Sequence, residues 1–123
     1  MQSSLFLAIV AIIFAIFGIG LLVAPSEFMA VYGLSFNAAG VLIARVFGTV
    51  VIGQAIIYWA ARNAGWSDLL QAVLYAGVIS NALDVILAYY GISIGVLNSM
   101  GWALVVLHAL FTIGFAYFAF GKR

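Results

Sequence analysis

The sequence predicts an all-α integral membrane protein in which four helices cross the bilayer as one bundle. Of its 123 residues, 68% are hydrophobic and 6% are charged, whereas a soluble domain carries about 25% charged residues. The long uncharged segments of the chain are apolar on all sides, which argues against a membrane β-barrel, because barrel strands alternate polar and apolar residues over ~10 positions. A helical span needs about 20 mainly apolar residues, so four spans occupy nearly the whole chain, which we expect to form a single domain, 1–123. The runs without Asp, Glu, Lys or Arg are residues 1–26, 28–44, 46–61, 69–83 and 85–121.

The first span is expected over residues 4–24. The N-terminal residues Met1-Gln2-Ser3-Ser4 lack the basic region of a signal peptide, so this segment is interpreted as a true span. Pro25 has no backbone N–H and disfavours helix in the residue before it, which ends the span. Residues 26–37 are too apolar for a free loop and too short for another span. We therefore expect a short interfacial helix there, with Glu27 near its positive N-terminal end.

The second span is expected over residues 38–61, with Asn37 as its N-cap. Small residues recur at every fourth position near its start, a pattern that lets helices approach closely in lipid. Gly77 occupies a comparable small face in the third span. The small residues of the second span are Gly40, Ala44 and Gly48.

The third and fourth spans each follow a turn that contains a capping residue. Ser67 can cap a span over residues 68–90, and Asn98 can cap a span over residues 98–120. We expect the third span to end before Gly91, which would lie in the turn between the two.

The Lys and Arg residues outside the spans predict the orientation in the membrane. Arg62, Lys122 and Arg123 lie on the side of the 62–67 turn and the C-terminus, and the opposite side carries only Glu27. Cytoplasmic loops of membrane proteins carry an excess of Lys and Arg. We therefore expect both termini to face the cytoplasm.

Several function classes are disfavoured by what the sequence lacks. There is no cysteine, which excludes disulfides, thiolate chemistry and cysteine-bound metals. The net charge of +1 argues against a nucleic-acid partner. No phosphate-binding loop, carboxylate pair or metal-spaced histidines occur, and Ser80, Asp84 and His108 without a nucleophile elbow are a weak hydrolase signal. We predict no catalytic residue, no metal site and no required cofactor; a bound lipid, quinone or pigment stays open.

Polar residues inside the spans predict a buried polar layer. An ionisable side chain in a span costs at least a few kcal/mol unless it has a partner. At 1.5 Å per residue, Arg45 lies about 10 Å into span two, and Asp84 in span three lies at nearly the same depth, so we predict an Arg45–Asp84 ion pair. Asn81 and His108 are expected at a common, deeper level. The predicted layer consists of Arg45, Asp84, Asn81, His108, Ser80, Thr49 and Gln54.

These residues have both structural and functional interpretations. The Arg45–Asp84 pair can be an architectural lock, and removing one member would strand a buried charge at a cost of ~3–5 kcal/mol. It can also line a small cavity for a lipophilic or anionic ligand. His108 can be a hydrogen-bonded core residue, a proton carrier, or a ligand of a metal, haem or pigment, although a single histidine excludes a bis-histidine haem. Asn81 is most simply an interhelical hydrogen-bonding residue, worth ~0.6–2 kcal/mol.

Two short stretches carry a resemblance to a known family. Leu21-Leu22-Val23-Ala24-Pro25, followed by Ala44-Arg45-Val46-Phe47-Gly48, resembles the small DoxX-like four-span bacterial membrane proteins. In that group a proline closes span one, and Arg and Gly occur early in span two. The resemblance covers about the first half of the chain and implies a four-helix bundle in the bacterial inner (cytoplasmic) membrane. It also implies, as in some members, a membrane subunit of an oxidoreductase complex that handles quinone or sulfur compounds.

Three functions follow as hypotheses, ranked in this order. The first is a non-catalytic or accessory subunit that packs against copies of itself or partner membrane proteins, because few residues lie outside the spans and span one has no ionisable residue. The second is a small transporter or carrier of a lipophilic or anionic ligand that uses Arg45, Asp84 and His108. The third, implied by the resemblance, is a membrane subunit of a quinone-linked oxidoreductase complex. In each case the lipid bilayer is an expected partner.

Overall fold

A computed structural model describes residues 2–121 of the protein as four long helices and one short helix. The four long helices have the length and hydropathy to cross a membrane. The predicted all-α class, with four apolar helices and a short helix between the first and the second, is confirmed. The chain is a small four-span integral membrane protein whose spans contact the lipid bilayer. In chain order the helices are α1 (Gln2–Val23), α2 (Pro25–Ala30), α3 (Ala38–Ala61), α4 (Asp68–Ser93) and α5 (Gly101–Phe120).

The ends of α1, α3 and α4 agree with the signals in the sequence. α1 ends at Val23, and Pro25 begins α2, where its missing N–H costs no helical hydrogen bond. The Asn37 side chain accepts a 2.8 Å hydrogen bond from the Gly40 N–H at the start of α3. The Ser67 hydroxyl accepts one of 3.2 Å from a backbone N–H in the first turn of α4. Both predicted N-caps are therefore confirmed.

The turn between α4 and α5 lies later in the chain than predicted. α4 passes through Gly91 and ends at Ser93, and α5 begins at Gly101. Gly95 has a φ of 73°, a left-handed conformation that glycine adopts at low cost. The N–H groups of Gly95 and the next residue bond back to carbonyls in the last turn of α4, as in a Schellman motif. The second glycine of this segment therefore terminates the helix, and the first lies inside it.

Asn98 caps the turn that precedes α5 and not α5 itself, which corrects the predicted N-cap. Its side-chain oxygen accepts a 2.9 Å hydrogen bond from the Met100 N–H. Its carbonyl accepts another from the Gly101 N–H. These short-range bonds form a tight turn, so the helix begins after it.

The chain divides into two compact units, residues 1–63 and residues 64–123. In the first unit α1 packs along α3, and α2 contacts both helices. In the second unit α4 packs along α5. The assembly of these units into one domain and one bundle stays a prediction. The cytoplasmic position of the termini stays one as well, because Lys122 and Arg123 lie outside the described residues.

Two glycines bring the backbones of α1 and α3 into contact. A Cβ atom on Gly48 would lie 2.8 Å from the Gly18 carbonyl oxygen and 2.9 Å from the Leu22 nitrogen. A Cβ atom on Gly18 would lie 3.0 Å from the Gly48 carbonyl oxygen. The buried positions on both helices have the three- and four-residue spacing of interlocking helix pairs. They include Leu7, Ala11, Gly18 and Leu21 on α1, and Ala44, Gly48, Val51, Ala55 and Tyr58 on α3.

The first unit has an end that contains residues typical of a membrane interface. The Ser4 hydroxyl donates a 3.3 Å hydrogen bond to the side-chain oxygen of Asn63, so the start of α1 and the turn after α3 lie at this end. The Arg62 guanidinium lies 3.7 Å above the Trp59 ring. At the opposite end of the unit, after α2, burial raises the pKa of the Tyr32 hydroxyl, because desolvation disfavours the phenolate. The start of α1 and the 62–67 turn are thus on one side of the unit, as the predicted topology requires.

A glycine also sets the approach of α4 and α5 in the second unit. A Cβ atom on Gly77 would overlap the ring of Phe115, which is fully buried. Near the other end of the pair, a Cβ atom on Gly101 would lie 2.8 Å from the Ile92 side chain. Asn81 is the polar member of the buried set. That set consists of Leu70, Leu74, Gly77, Asn81 and Ala88 on α4, and Gly101, Phe111, Phe115 and Ala119 on α5.

Candidate functional site

A cluster of three polar side chains lies where α4 packs along α5. Asn81 is fully buried, and its Nδ2 donates a 2.8 Å hydrogen bond to the Gly77 carbonyl. The Asn81 Oδ1 lies 2.9 Å from Nδ1 of His108. The same Nδ1 lies 3.6 Å from Oδ2 of Asp84. One imidazole nitrogen therefore faces both an amide oxygen and a carboxylate oxygen.

Helical spacing explains why these residues meet. Gly77, Asn81 and Asp84 are four and three residues apart, so they lie on one face of α4. The hydrogen bond between Asn81 and His108 confirms that the two residues lie at a common level. The prediction places Asp84 and His108 in one polar layer but pairs Asp84 with Arg45, whereas the structure has Asp84 in contact with His108. Depth along the helices thus predicts the Asn81–His108 part of the cluster, and it does not predict the partner of Asp84.

The cluster extends from the buried contact to its edge. Asn81 is enclosed, whereas the side chains of His108 and Asp84 are 20% and 47% exposed. Residues 64–121 contain no Lys or Arg. His108 is therefore the side chain of that segment that can place a positive charge beside Asp84.

The hydrogen bonds determine which nitrogen of His108 carries the proton. The Gly77 carbonyl can only accept, so the Asn81 amide directs its NH2 group to Gly77 and its oxygen to His108. An amide oxygen also only accepts, so the 2.9 Å hydrogen bond requires a proton on Nδ1. In the neutral ring, Nε2 is then the acceptor nitrogen.

The other polar residues of the predicted layer form hydrogen bonds within their own helices. Thr49 and Ser80 each donate to the backbone carbonyl three residues earlier, at 2.7 Å and 3.5 Å respectively. The Gln54 Nε2 donates a 2.8 Å hydrogen bond to the hydroxyl of Tyr58. Tyr58 is buried and packs edge-on against Phe14 of α1. Thr49 and Gln54 thus form hydrogen bonds away from the Asn81–His108–Asp84 cluster, whereas Ser80 shares the Gly77 carbonyl with Asn81.

Arg45 lies in the first unit, beside the contact between α1 and α3. It is exposed, whereas Ala44 and Gly48 on the same helix are buried. Residues 1–63 contain one acidic residue, Glu27, which lies in the short α2 and not in a span. Asp84 belongs to the other unit, and the Arg45–Asp84 pair stays a prediction.

The residues predicted to pack helices lie in two kinds of environment. Gly40 lies near its own cap, where a Cβ atom would be 3.2 Å from the Phe36 side chain. The sequence interpretation missed Gly18, although this glycine follows Ala11 at heptad spacing in a segment without charges. Gly18 was therefore detectable from spacing alone. The members that are buried in helix contacts are Ala44, Gly48 and Gly77.

The chemistry open to the cluster is hydrogen bonding and proton binding. Its ionisable groups are one imidazole and one carboxylate, 3.6 Å apart. Within residues 2–121, no three His, Cys, Asp or Glu side chains come together as a metal site. An imidazole fixed by an amide and flanked by a carboxylate can hold a proton or accept a hydrogen bond at a defined atom.

Comparison of the chain with known protein families, with curated proteins and with solved structures finds no match. The resemblance to DoxX-like proteins therefore stays an expectation that depends on two short stretches of sequence. Functional inference consequently depends on the residues of α3, α4 and α5 themselves.

Proposed function

We propose that the chain is a non-catalytic subunit of a membrane assembly, formed with copies of itself or with partner membrane proteins. The supporting observation is the exposed side chain of Arg45 within α3. An ionisable residue that faces hydrocarbon costs about 2.5–3.5 kcal/mol or more. The spans within residues 1–63 contain no acidic residue, so a polar surface from elsewhere is expected to cover Arg45.

The distribution of buried surface supports the same function. The α1 span has no ionisable residue, whereas α3 carries the exposed polar side chains of Arg45 and Thr49. Polar residues of a span ordinarily face other protein and not lipid. The polar side chains of α3 are thus exposed in a span, which favours a neighbour against α3. α1 packs along α3 and keeps exposed apolar residues such as Ile12 and Ile16, so a neighbour against span one stays a prediction.

We expect native mass spectrometry after gentle detergent extraction to detect more than one copy of the chain or a second protein. Arg45→Glu should shift most of the material to the single chain, because it reverses the charge on the covered surface. Arg62→Glu is the matched control, since it makes the same charge change beside Trp59 at the end of α3. A wild-type chain that is stable alone, or equal dissociation by both variants, would contradict the proposal.

A carrier of a lipophilic or anionic ligand is the second candidate, supported by the half-exposed Asp84 beside His108. In this function Arg45 would bind an anionic head, and Asp84 or His108 would couple a proton. We expect Arg45→Ala to abolish binding of radiolabelled palmitate while circular dichroism shows unchanged helical content. Thr49→Ala is the control, because it removes a hydroxyl one turn from Arg45 and no charge. If Arg45→Ala binds palmitate as the wild type does, the chain is not a carrier of anionic ligands that uses Arg45.

A further inference from the structure

We propose that Nε2 of His108 is the acceptor of a binding site, inside the membrane, for an apolar molecule that carries a hydroxyl or phenol group. The second unit alone would recognise such a ligand. The proposal rests on the carrier function and names the class of lipophilic ligand that the carrier would bind. It does not require the membrane assembly proposed above.

Nε2 is accessible, whereas Nδ1 is engaged. Both the hydrogen bond and the ion-pair contact of the ring use Nδ1. Within the described part of the chain, no buried side-chain nitrogen or oxygen lacks a hydrogen-bond partner. Nε2 is therefore not an enclosed, unsatisfied atom, and the 20% exposure of the His108 side chain agrees with a ring edge at the protein surface.

The neighbours of His108 hold Nε2 in its acceptor form. Asn81 cannot exchange its oxygen and its NH2 group without losing the 2.8 Å hydrogen bond to Gly77, and it is fully buried. Breaking that bond inside the protein would be costly because no water can replace it. Oδ2 of Asp84 lies 3.6 Å from Nδ1, and its negative charge on that side of the ring strengthens Nε2 as an acceptor.

The depth of His108 determines the class of ligand. His108 is the eighth residue of α5, so it lies about 10 Å along the helix at 1.5 Å per residue. The hydrocarbon core is about 30 Å thick, so lipid headgroups and bulk water lie away from this level. The Phe111 ring lies edge-on to the imidazole with ring centroids 6.4 Å apart. An apolar body with one hydrogen-bond donor matches an acceptor nitrogen in these surroundings.

The single histidine of the chain makes a direct test feasible. With ring-15N histidine in the full chain, reconstituted in phosphatidylcholine nanodiscs, the NMR spectrum should show a protonated Nδ1 and an unprotonated Nε2. Titration with 4-propylphenol should shift the Nε2 signal, because the phenol donates a hydrogen bond to it. The matched probe 4-propylanisole has the same apolar body and no donor, and it should leave the signal unchanged.

Asn81→Leu should release the tautomer, so that both ring nitrogens become partly protonated. The phenol should then bind at least about twofold more weakly, because only the rings with an unprotonated Nε2 accept its hydrogen bond. Ser93→Ala removes a hydroxyl that bonds to the Tyr90 carbonyl at the end of α4, and it should leave the spectrum and the binding unchanged. A wild-type Nε2 that is protonated, or a response that is absent or equal for the two probes, overturns the proposal, whether or not Asn81→Leu folds. Palmitate binding through Arg45 is measured separately, so failure here is distinguishable from failure of an anion carrier.

Discussion

Replacing Gly48 with alanine should separate α1 from α3 and destabilise the first unit by about 1–3 kcal/mol, the range for inserting a methyl group into a filled contact. The added Cβ atom would lie 2.8 Å from the Gly18 carbonyl oxygen and 2.9 Å from the Leu22 nitrogen. Both are backbone atoms, which cannot rotate away as a side chain can. The two helices must therefore move apart, and the contacts along their shared surface weaken together.

The separation can be measured as a distance and as a free energy of unfolding. The chain has no cysteine, so cysteines introduced at the exposed residues Ile12 and Ile57 can carry a pair of spin labels without background. The distance between the labels should increase in Gly48→Ala, and less SDS should unfold the protein in mixed micelles.

Gly53→Ala is the matched control for Gly48→Ala. Gly53 lies in the same helix, and no atom lies within 4 Å of the position that its Cβ would occupy. The substitution should leave the label distance unchanged and the stability equal or slightly higher, because alanine is the better helix former. Equal effects of the two substitutions would show that the close contact between Gly18 and Gly48 does not stabilise the unit.

The helices were predictable because their signals are local. Charged residues are so few that the uncharged runs outline the spans, and Asn37 and Ser67 mark helix starts through hydrogen bonds to their own neighbours. The end of α4 was harder to predict, because Gly91 and Gly95 lie close together in the sequence and either glycine can end a helix. Only the fold shows which of them adopts the left-handed conformation, with a φ of 73° at Gly95.

The sequence predicted the depth of the candidate-site residues along their helices better than it predicted which side chains contact each other. Counting residues along antiparallel spans places Asn81 beside His108, since helical rise is regular. The same count cannot decide whether Asp84 pairs with His108 or Arg45, because side chains reach over a full helical turn. The 3.6 Å contact to His108 depends on the packing of Phe115 against Gly77, which brings α4 and α5 close. Polar residues were easier to notice in these spans than the glycine and aromatic residues that position them.

Replacing Asn81 with leucine should destabilise the second unit by about 1–2 kcal/mol, the upper range for hydrogen bonds between helices in a membrane. Leucine has a similar volume, so the main change is chemical: Nδ1–H of His108 loses the amide oxygen 2.9 Å away. The Gly77 carbonyl keeps its helical hydrogen bond and is not stranded. Titration with SDS in mixed micelles, followed by circular dichroism, measures the change in the free energy of unfolding.

A double-mutant cycle separates this hydrogen bond from simple packing. His108→Leu alone should strand the Asn81 oxygen and cost a similar amount, whereas Asn81→Leu with His108→Leu replaces both partners by apolar groups and should cost little more than either single change. Ser93→Ala is the control, because its hydroxyl bonds to the Tyr90 carbonyl of its own helix, outside the Asn81–His108–Asp84 cluster, and should change stability by less than about 0.5 kcal/mol. If the costs of the two single variants instead add up in the double variant, Asn81 and His108 are not coupled. The imidazole would then be free to choose its tautomer, and the acceptor role of Nε2 would lose its physical basis.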